Sequence, residues 1–388
     1  MTRVNVFIAY FLPGTRAGGP IRSVANLVHA VGTSFDFSVL TLNHDFGDPT
    51  PYEGIAPFRW REHGPCRVQY LAPGWRTLRT IVASALDDEV DVLYINSVFE
   101  RRFSMLPLWS RVMTRRSLAR VVLAPRGELA EAALRSKPRR KAAYLNLLRL
   151  ARVPEKVTWM ASSVYEERDI RRTFGDQVRV RLAPPLPAAP SAAPVADDVS
   201  LKKPGNLRVL FVGRLVSHKG LHVALEHISK LEGNVRLEIA GPIEDESYWR
   251  ECRELMEALP PNIDVNYLGV LGSDDLQEAL RRADLFMLPT RSENFGHAIA
   301  EALAAGLPVL ISDGTPWRGL EEAGVGWDLP LTDAGGFVRA LETMLGMDGA
   351  ALRALKARAT AYADEHARDP ARVEANTAIF REAARQRP

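Results

Sequence analysis

The sequence predicts an α/β protein built as two Rossmann-like, doubly wound domains. Three observations predict it. Short apolar runs alternate with stretches of helical spacing, a proline-dense segment interrupts the alternation near mid-chain, and the same alternation then restarts. Strands that alternate with helices form parallel sheets with right-handed crossovers.

In the first half, the run over 4–11 reads as a buried strand that ends before Leu12-Pro13-Gly14 and a loop holding Gly18-Gly19-Pro20. Ile21, Val24, Leu27, Val28 and Val31 then line one helical face. Further strands are expected over 37–42, 68–71, 90–96 and 121–124. Prolines 184, 185, 187, 190 and 194 fall within eleven residues among small side chains, a composition that resists helix and sheet and reads as a semi-stiff linker. Beyond it, strands are expected over 207–212, 235–240, 265–268, 285–288 and 308–312, with a helix around 221–231. The expected organisation is a first domain over 1–183, a linker over 184–206, a second domain over 207–365 and a final helical segment over 366–388. Ligands of such sheets bind at the carboxyl ends of the strands, so a cleft between the two domains is the expected site.

Composition narrows the class. The 388 residues exceed what one core holds, and 46% hydrophobic with 25% charged residues describes a globular chain, not a disordered, collagenous or coiled-coil one. Cys66 and Cys252 lie far apart and suit neither a disulfide framework nor a zinc cluster, which favours a reduced, cytoplasmic setting. No stretch reaches the roughly 18 apolar residues of a bilayer span. The opening apolar run contains Asn5 and has only Arg3 as a basic flank, so it reads as a strand and not a leader. The eight histidines show no metal-ligand spacing.

Charge is uneven. Residues 1–200 carry 28 Lys+Arg against 19 Asp+Glu, whereas 101–150 alone carry 13 against 2. The segment from Arg135 to Lys141, followed by Tyr144, Leu145, Leu147, Leu148 and Leu150, suits a helix with a cationic edge docked on anionic lipid; the alternative is a solvated helix whose leucines enter the core. Nucleic-acid binding motifs are lacking.

Two stretches carry chemistry. In Phe211-Val212-Gly213-Arg214-Leu215-Val216-Ser217-His218-Lys219-Gly220, a strand ends at Gly213, where the lack of a side chain lets a ligand near the backbone, and two cations follow in the loop to a helix. Such a pair suits a diphosphate; solvated surface cations are the plainer reading. In Pro289-Thr290-Arg291-Ser292-Glu293-Asn294-Phe295-Gly296-His297, running on to Glu301, a second strand ends and the amides near Asn294–His297 form a helix-start anion site. Glu301, turned inward, would accept hydrogen bonds from vicinal hydroxyls; an ordinary first-turn glutamate is the alternative.

Together these stretches resemble the family 4 retaining glycosyltransferases (glycosyl transferases group 1) of the GT-B fold. The matching residues are Gly213-Arg214 with Lys219-Gly220, and Glu293-Asn294-Phe295-Gly296 with the run from Glu301 to Val309. The resemblance is strong over 205–330 and looser in the first half. It implies that Arg214 and Lys219 bind the donor diphosphate, that Glu293 touches the donor sugar, that Asn294, Phe295 and Gly296 bind sugar or phosphate, and that Glu301 holds the ribose. It also implies that Gly18 and Gly19 approach the diphosphate from the acceptor-side domain, that the final helix crosses back onto that domain, and that neither metal nor cofactor is needed beyond the nucleotide-sugar donor. Retention is expected as same-face attack, with the leaving phosphate taking the acceptor's proton.

The chain departs from many relatives, which carry a histidine where it reads Asn96 after Asp91-Val92-Leu93; an amide cannot act as a general base. The Asn96-Ser97 pair and Pro125-Arg126-Gly127-Glu128 resemble the exopolysaccharide-type branch, making Asn96, Arg126 and Glu128 acceptor-side candidates. The expected function is transfer of a hexose to a lipid-linked glycan in cell-surface polysaccharide biosynthesis, by an enzyme peripheral on the inner face of the cytoplasmic membrane. A nucleotide-sugar 2-epimerase of the same fold and a non-catalytic nucleotide-sugar-binding scaffold are the alternatives.

Overall fold

The computed structural model describes residues 1–118, 120–187, 202–367 and 369–386. They form two compact units, the first comprising 1–186 with 369–388 and the second 187–368.

The first unit runs β1 (Thr2–Phe7), α1 (Gly19–Val31), β2 (Phe35–Leu42), β3 (Trp60–His63), β4 (Cys66–Leu71), α2 (Trp75–Ala85), β5 (Val92–Asn96), α3 (Leu106–Met113), β6 (Val121–Ala124), α4 (Glu131–Leu134), α5 (Pro138–Leu150), α6 (Val153–Lys156), β7 (Thr158–Ala161), α7 (Val164–Phe174) and β8 (Arg179–Leu182). Its strands lie in the order β3-β4-β2-β1-β5-β6-β7-β8. All pairings are parallel except β3 with β4. Strand alternation divides the core between two faces. Val4, Val6, Phe37, Val39 and Val68 face one way, and Phe7, Leu40, Leu42 and Leu71 the other.

The second unit runs β9 (Asn206–Val212), α8 (Leu221–Ile228), β10 (Asn234–Ala240), α9 (Glu246–Glu257), β11 (Ile263–Gly269), α10 (Ser273–Arg282), β12 (Leu285–Leu288), α11 (His297–Ala304), β13 (Val309–Ser312), β14 (Gly326–Leu329), α12 (Ala334–Gly346) and α13 (Gly349–Ala367). The strand order β11-β10-β9-β12-β13-β14 is wholly parallel. The chain winds outward one way from β9 and then returns to build outward from β12. The crevice at the carboxyl ends of these two neighbours is therefore a topological switch point. In the first unit the switch lies between β1 and β5.

The last helix, α14 (Pro370–Arg385), belongs to the first unit. Its Phe380 is fully buried against Phe35, Phe37 and Tyr94, with ring centroids 5.6, 5.8 and 5.2 Å away. The Asn376 amide donates to the Pro184 carbonyl at 2.9 Å.

The structure differs from the sequence reading in places. Residues 184–186 of the expected linker pack with the first unit: Leu186 is buried, and its carbonyl accepts from Asn26 at 2.9 Å. Residues 202–206 join the second unit, where Lys202 is buried and donates to the Asn206 carbonyl. The intervening 188–201 lie outside the described residues. Helix α13 extends to Ala367, past the expected limit at 365. Four strands were not expected: β3, β7, β8 and β14. Each has four residues and, unlike the equally short β6 and β12, lacks a wholly apolar run to mark it; β3 is exposed throughout at the sheet edge.

Candidate functional site

In the second unit, the loop after β9 carries Gly213, Arg214 and Lys219, and the loop after β12 carries Glu293–Gly296. Backbone contacts knit the two together. The Arg291 amide donates to the His218 carbonyl at 2.8 Å, and the Thr290 hydroxyl donates to the same oxygen at 3.0 Å. Gly220 has φ +79°, and a Cβ there would lie 2.0 Å from the Pro289 carbonyl oxygen, so only glycine lets the loops approach this closely.

The Lys219 ammonium is ion-paired with the Glu293 carboxylate, and the two side chains are only 14% and 15% exposed. The expected catalytic lysine and glutamate therefore meet across the switch point, one from each flanking loop. Arg214 points elsewhere. It forks onto the Glu244 carboxylate at 2.7 and 3.0 Å and is 47% exposed, so it sits at the rim of the crevice. Glu244 was not foreseen from sequence. The available signal was its place just after Gly241-Pro242, where β10, the other neighbour of β9, ends.

Within the fold itself, no close contact requires glycine at position 213. A Cβ there would meet Lys219 Cδ at 3.8 Å and Leu288 Cδ1 at 3.9 Å, which is ordinary contact. The strict requirement falls on Gly241, whose Cβ would lie 2.0 Å from the Gly213 carbonyl oxygen.

Gly296 is the N-cap of α11, with φ +79° and no side-chain capping bond. The first-turn amides there are held by no capping side chain, which suits an anion. Behind the loop, Trp317 Nε1 donates to the Phe295 carbonyl. Asn294 and half-buried Glu301 fall just before and within α11, so the second glutamate lies a little over one turn into the helix that Gly296 opens. Burial, then the charges of Lys219 and Arg214, push the His218 imidazole below its usual range, which keeps it neutral beside the cations.

In the first unit, the loop after β1 holds Gly18 and Gly19, and α1 begins on Gly18 at φ +69° with no capping side chain. Asp45 pins this loop, accepting from the Thr15 and Arg16 amides at 2.8 and 3.1 Å. The three acceptor-side candidates gather at the carboxyl ends of β5 and β6. Asn96 is buried, and its Oδ1 accepts from Arg126 Nε at 3.1 Å and Nη2 at 2.9 Å; the same Nη2 donates to the Tyr94 hydroxyl. Arg126 adopts φ +55°, a left-handed turn into Gly127 at φ +82°. Glu166, unforeseen from sequence, holds that turn by accepting from the Gly127 amide at 2.5 Å.

Glu128 is held by the loop after β5. Its carboxylate accepts from the Ser97 hydroxyl at 2.8 and 2.9 Å and from the Val98 and Phe99 amides at 2.6 and 3.1 Å. Burial pushes this carboxyl up against those bonds. Its bonds span the strained loop after β5, where Ser97 has φ +114°.

No group of three His, Cys, Asp or Glu side chains among the described residues is arranged to hold a metal ion.

Residues 195–363 match the family described as glycosyl transferases group 1. That stretch is similar to a group 1 glycosyltransferase domain. The chain's fold is that of the GT-B glycosyltransferases. It is 30% identical to the lipopolysaccharide core biosynthesis glycosyltransferase of Rhizobium meliloti over 38% of this chain and 43% of that one. The sucrose-phosphate synthase of Thermosynechococcus elongatus superposes with a TM-score of 0.70 at 19% identity over 98% of both chains. The Anabaena protein HepE, in complex with UDP and glucose, superposes with a TM-score of 0.68 at 16% identity over 99% of this chain and 98% of that one. The chain spans between 25% and 43% of the length of the first curated relatives it matches. The second unit's candidates, from Gly213 to Glu301, lie inside the matched residues; Gly18 and Gly19 do not.

Proposed function

We propose that this protein is a retaining glycosyltransferase that moves a hexose from a nucleotide diphosphate sugar to a lipid-linked glycan in cell-surface polysaccharide biosynthesis. The observation that carries the reading is the sheltered Lys219–Glu293 pair at the β9/β12 switch point, beside the uncapped start of α11. Cleaving a sugar–phosphate bond builds negative charge on the departing diphosphate and positive charge on the sugar. Lys219 answers the first, with the α11 amides and with Arg214 exchanging Glu244 for the diphosphate, and Glu293 faces the second. The amides of Asn294, Phe295 and Gly296 hold phosphate or sugar, and Glu301 accepts from the ribose hydroxyls. Of the two candidate glycines of the first unit, Gly18 donates its own amide to the Thr15 carbonyl at 3.1 Å, so Gly19 is the one proposed to offer a main-chain N–H to an anion.

In the transfer step, the bond from the anomeric carbon to the phosphate oxygen breaks. The acceptor hydroxyl oxygen bonds to that carbon from the same face, and its proton passes to a phosphate oxygen. Asn96 and Arg126, tied to each other, are the proposed acceptor-side groups of the first unit; neither serves as a base. No metal or cofactor is assigned.

Lipid docking rests on α5. Leu145 and Leu148 enter the core, but Leu147 and Leu150 remain exposed beside Arg139 and Arg140, and Met113 is exposed at the end of α3. Among the described residues, no helix is long and apolar enough to cross a membrane. The proposed location is therefore peripheral, on the inner face of the cytoplasmic membrane.

The test is a thermal-shift and turnover screen with uridine, guanosine and adenosine diphosphate hexoses. One donor should raise the melting temperature by mass action and be consumed, and Lys219→Ala should abolish both effects. Isomerised donor without transfer would select an epimerase, and tight binding without turnover a scaffold. Flotation with phosphatidylglycerol vesicles, lost on Leu147→Glu/Leu150→Glu, tests the docking.

A further inference from the structure

The sheet face under α2 is buried, so each strand should present it with apolar side chains. The carboxyl halves do so, with Phe7, Leu40, Leu42 and Leu71. The amino halves do not. Register sets Asn5 beside Ser38 and Ser38 beside Arg67, a polar row across β1, β2 and β4. One row on, Gln69 stands next to Trp60 of β3. Asn5 and Ser38 are 7% and 3% exposed, and buried polar groups are kept at a cost unless something answers them. Asn5 donates to the Ser84 carbonyl at 3.0 Å, and Arg67 Nε donates to Ser38 Oγ at 2.8 Å. Between this row and α2 opens a cavity of about 360 Å³. That is within the range of small-ligand sites, about 300–1,000 Å³.

We propose that this cavity is a second carbohydrate site, which holds an uncharged stretch of glycan away from the transfer chemistry. Trp60 is 42% exposed, and the Arg67 guanidinium lies 4.8 Å from its ring centroid, fixing an indole platform at the cavity mouth. Aromatic faces stack on the C–H faces of sugars. The Asn5 and Gln69 amide nitrogens donate to the Ser84 and Phe58 carbonyls at 3.0 and 3.4 Å, which orients both amides, and the amide oxygens are the acceptors proposed to meet hydroxyls. The lining is charge-balanced: Arg3 and Arg67 stand against Asp87 and Glu89, and Arg3 is tied to Glu89 at 2.5 Å. A phosphate site would need surplus positive charge. The cavity lies along the amino halves of the strands. The loops after β1, β5 and β6, which carry the donor- and acceptor-side candidates of this unit, leave the opposite end of the sheet. On the glycosyltransferase reading proposed above, it retains the growing chain between additions. The site itself stands on the cavity alone.

The experiment titrates the full-length protein with maltopentaose, cellopentaose and mannopentaose, with tryptophan fluorescence and calorimetry as readouts. At least one probe should bind saturably. Trp60→Ala should weaken it at least about tenfold, as should Gln69→Leu, while Lys219→Ala leaves it intact. Failure of all three probes to bind, binding unaffected by Trp60→Ala, or displacement by inorganic phosphate would each overturn the proposal. Donor binding that fails while pentasaccharide binding persists would refute the proposed transfer and leave this site standing.

Discussion

The indole Nε1 of Trp317 donates a 2.6 Å hydrogen bond to the carbonyl of Phe295, and the two rings lie 5.6 Å apart. A side chain 22 positions later in sequence thus sets the loop that precedes α11 from behind. Trp317→Phe keeps the ring packing and removes the donor, which leaves a buried carbonyl unanswered. The expected loss is about 1–3 kcal/mol of stability, together with weaker nucleotide-sugar binding. Urea denaturation and calorimetric titration measure the two effects. Unchanged donor affinity would confine Trp317 to a purely structural role.

Lys219 and Glu293 should behave as a coupled pair. Breaking a wholly buried pair costs about 3–5 kcal/mol. This one retains some water contact, so Lys219→Met and Glu293→Gln should each lose about 1–3 kcal/mol. The double variant should lose less than the two singles combined. Strict additivity in a urea-denaturation cycle would show that the pair has no mutual dependence.

Much of this site was legible because strand ends announce themselves. A buried apolar run followed by glycine and charge marks the carboxyl edge of a parallel strand, and both Lys219 and Glu293 stand just past such runs. The partners were not legible. Nothing local links Arg214 to Glu244, Gly127 to Glu166 or Phe295 to Trp317, because each pair is joined by sheet order and not by spacing along the chain. The surroundings of Glu128 were hidden for the same reason: its four hydrogen-bond contacts come from the loop after a neighbouring strand. The polar row of Asn5, Ser38 and Arg67 is likewise invisible until three strands are laid in register.

Three glycines around the switch point should separate folding from binding. Gly220→Ala and Gly241→Ala each place a Cβ 2.0 Å from a carbonyl oxygen at positive φ, and each should lose several kcal/mol or fail to fold. Gly213→Ala meets only ordinary contacts and should stay within about 1 kcal/mol of the parent, yet bind donor more weakly because the methyl occupies the crevice. Circular dichroism melts alongside donor titration would check all three. A Gly213→Ala variant with parental donor affinity would remove that residue from the site.

Acidification should weaken the second unit through His218, His222 and His227, all held below the usual imidazole range chiefly by burial. His227 stacks on Phe337 at 5.1 Å, and neither ring nitrogen has a hydrogen-bond partner among the described residues. With depressed folded-state values, the unfolded chain takes up protons first. Stability is therefore intact above the ordinary histidine value of about 6.5 and declines as pH falls below it toward the folded values. Urea midpoints between neutral and mildly acidic pH should show that fall, and His227→Phe should flatten it. A profile that stays level through that interval would contradict the assignment.

Because α14 seals the core of the first unit, that unit is discontinuous along the chain, with the whole second unit spliced into it. On the ribosome, the second unit can close as soon as its own strands emerge. The first must wait with Phe35, Phe37 and Tyr94 uncovered until Phe380 has been synthesised. Order of synthesis and order of completion are thereby reversed, and the earliest-made segment is the one most in need of protection from aggregation while translation proceeds.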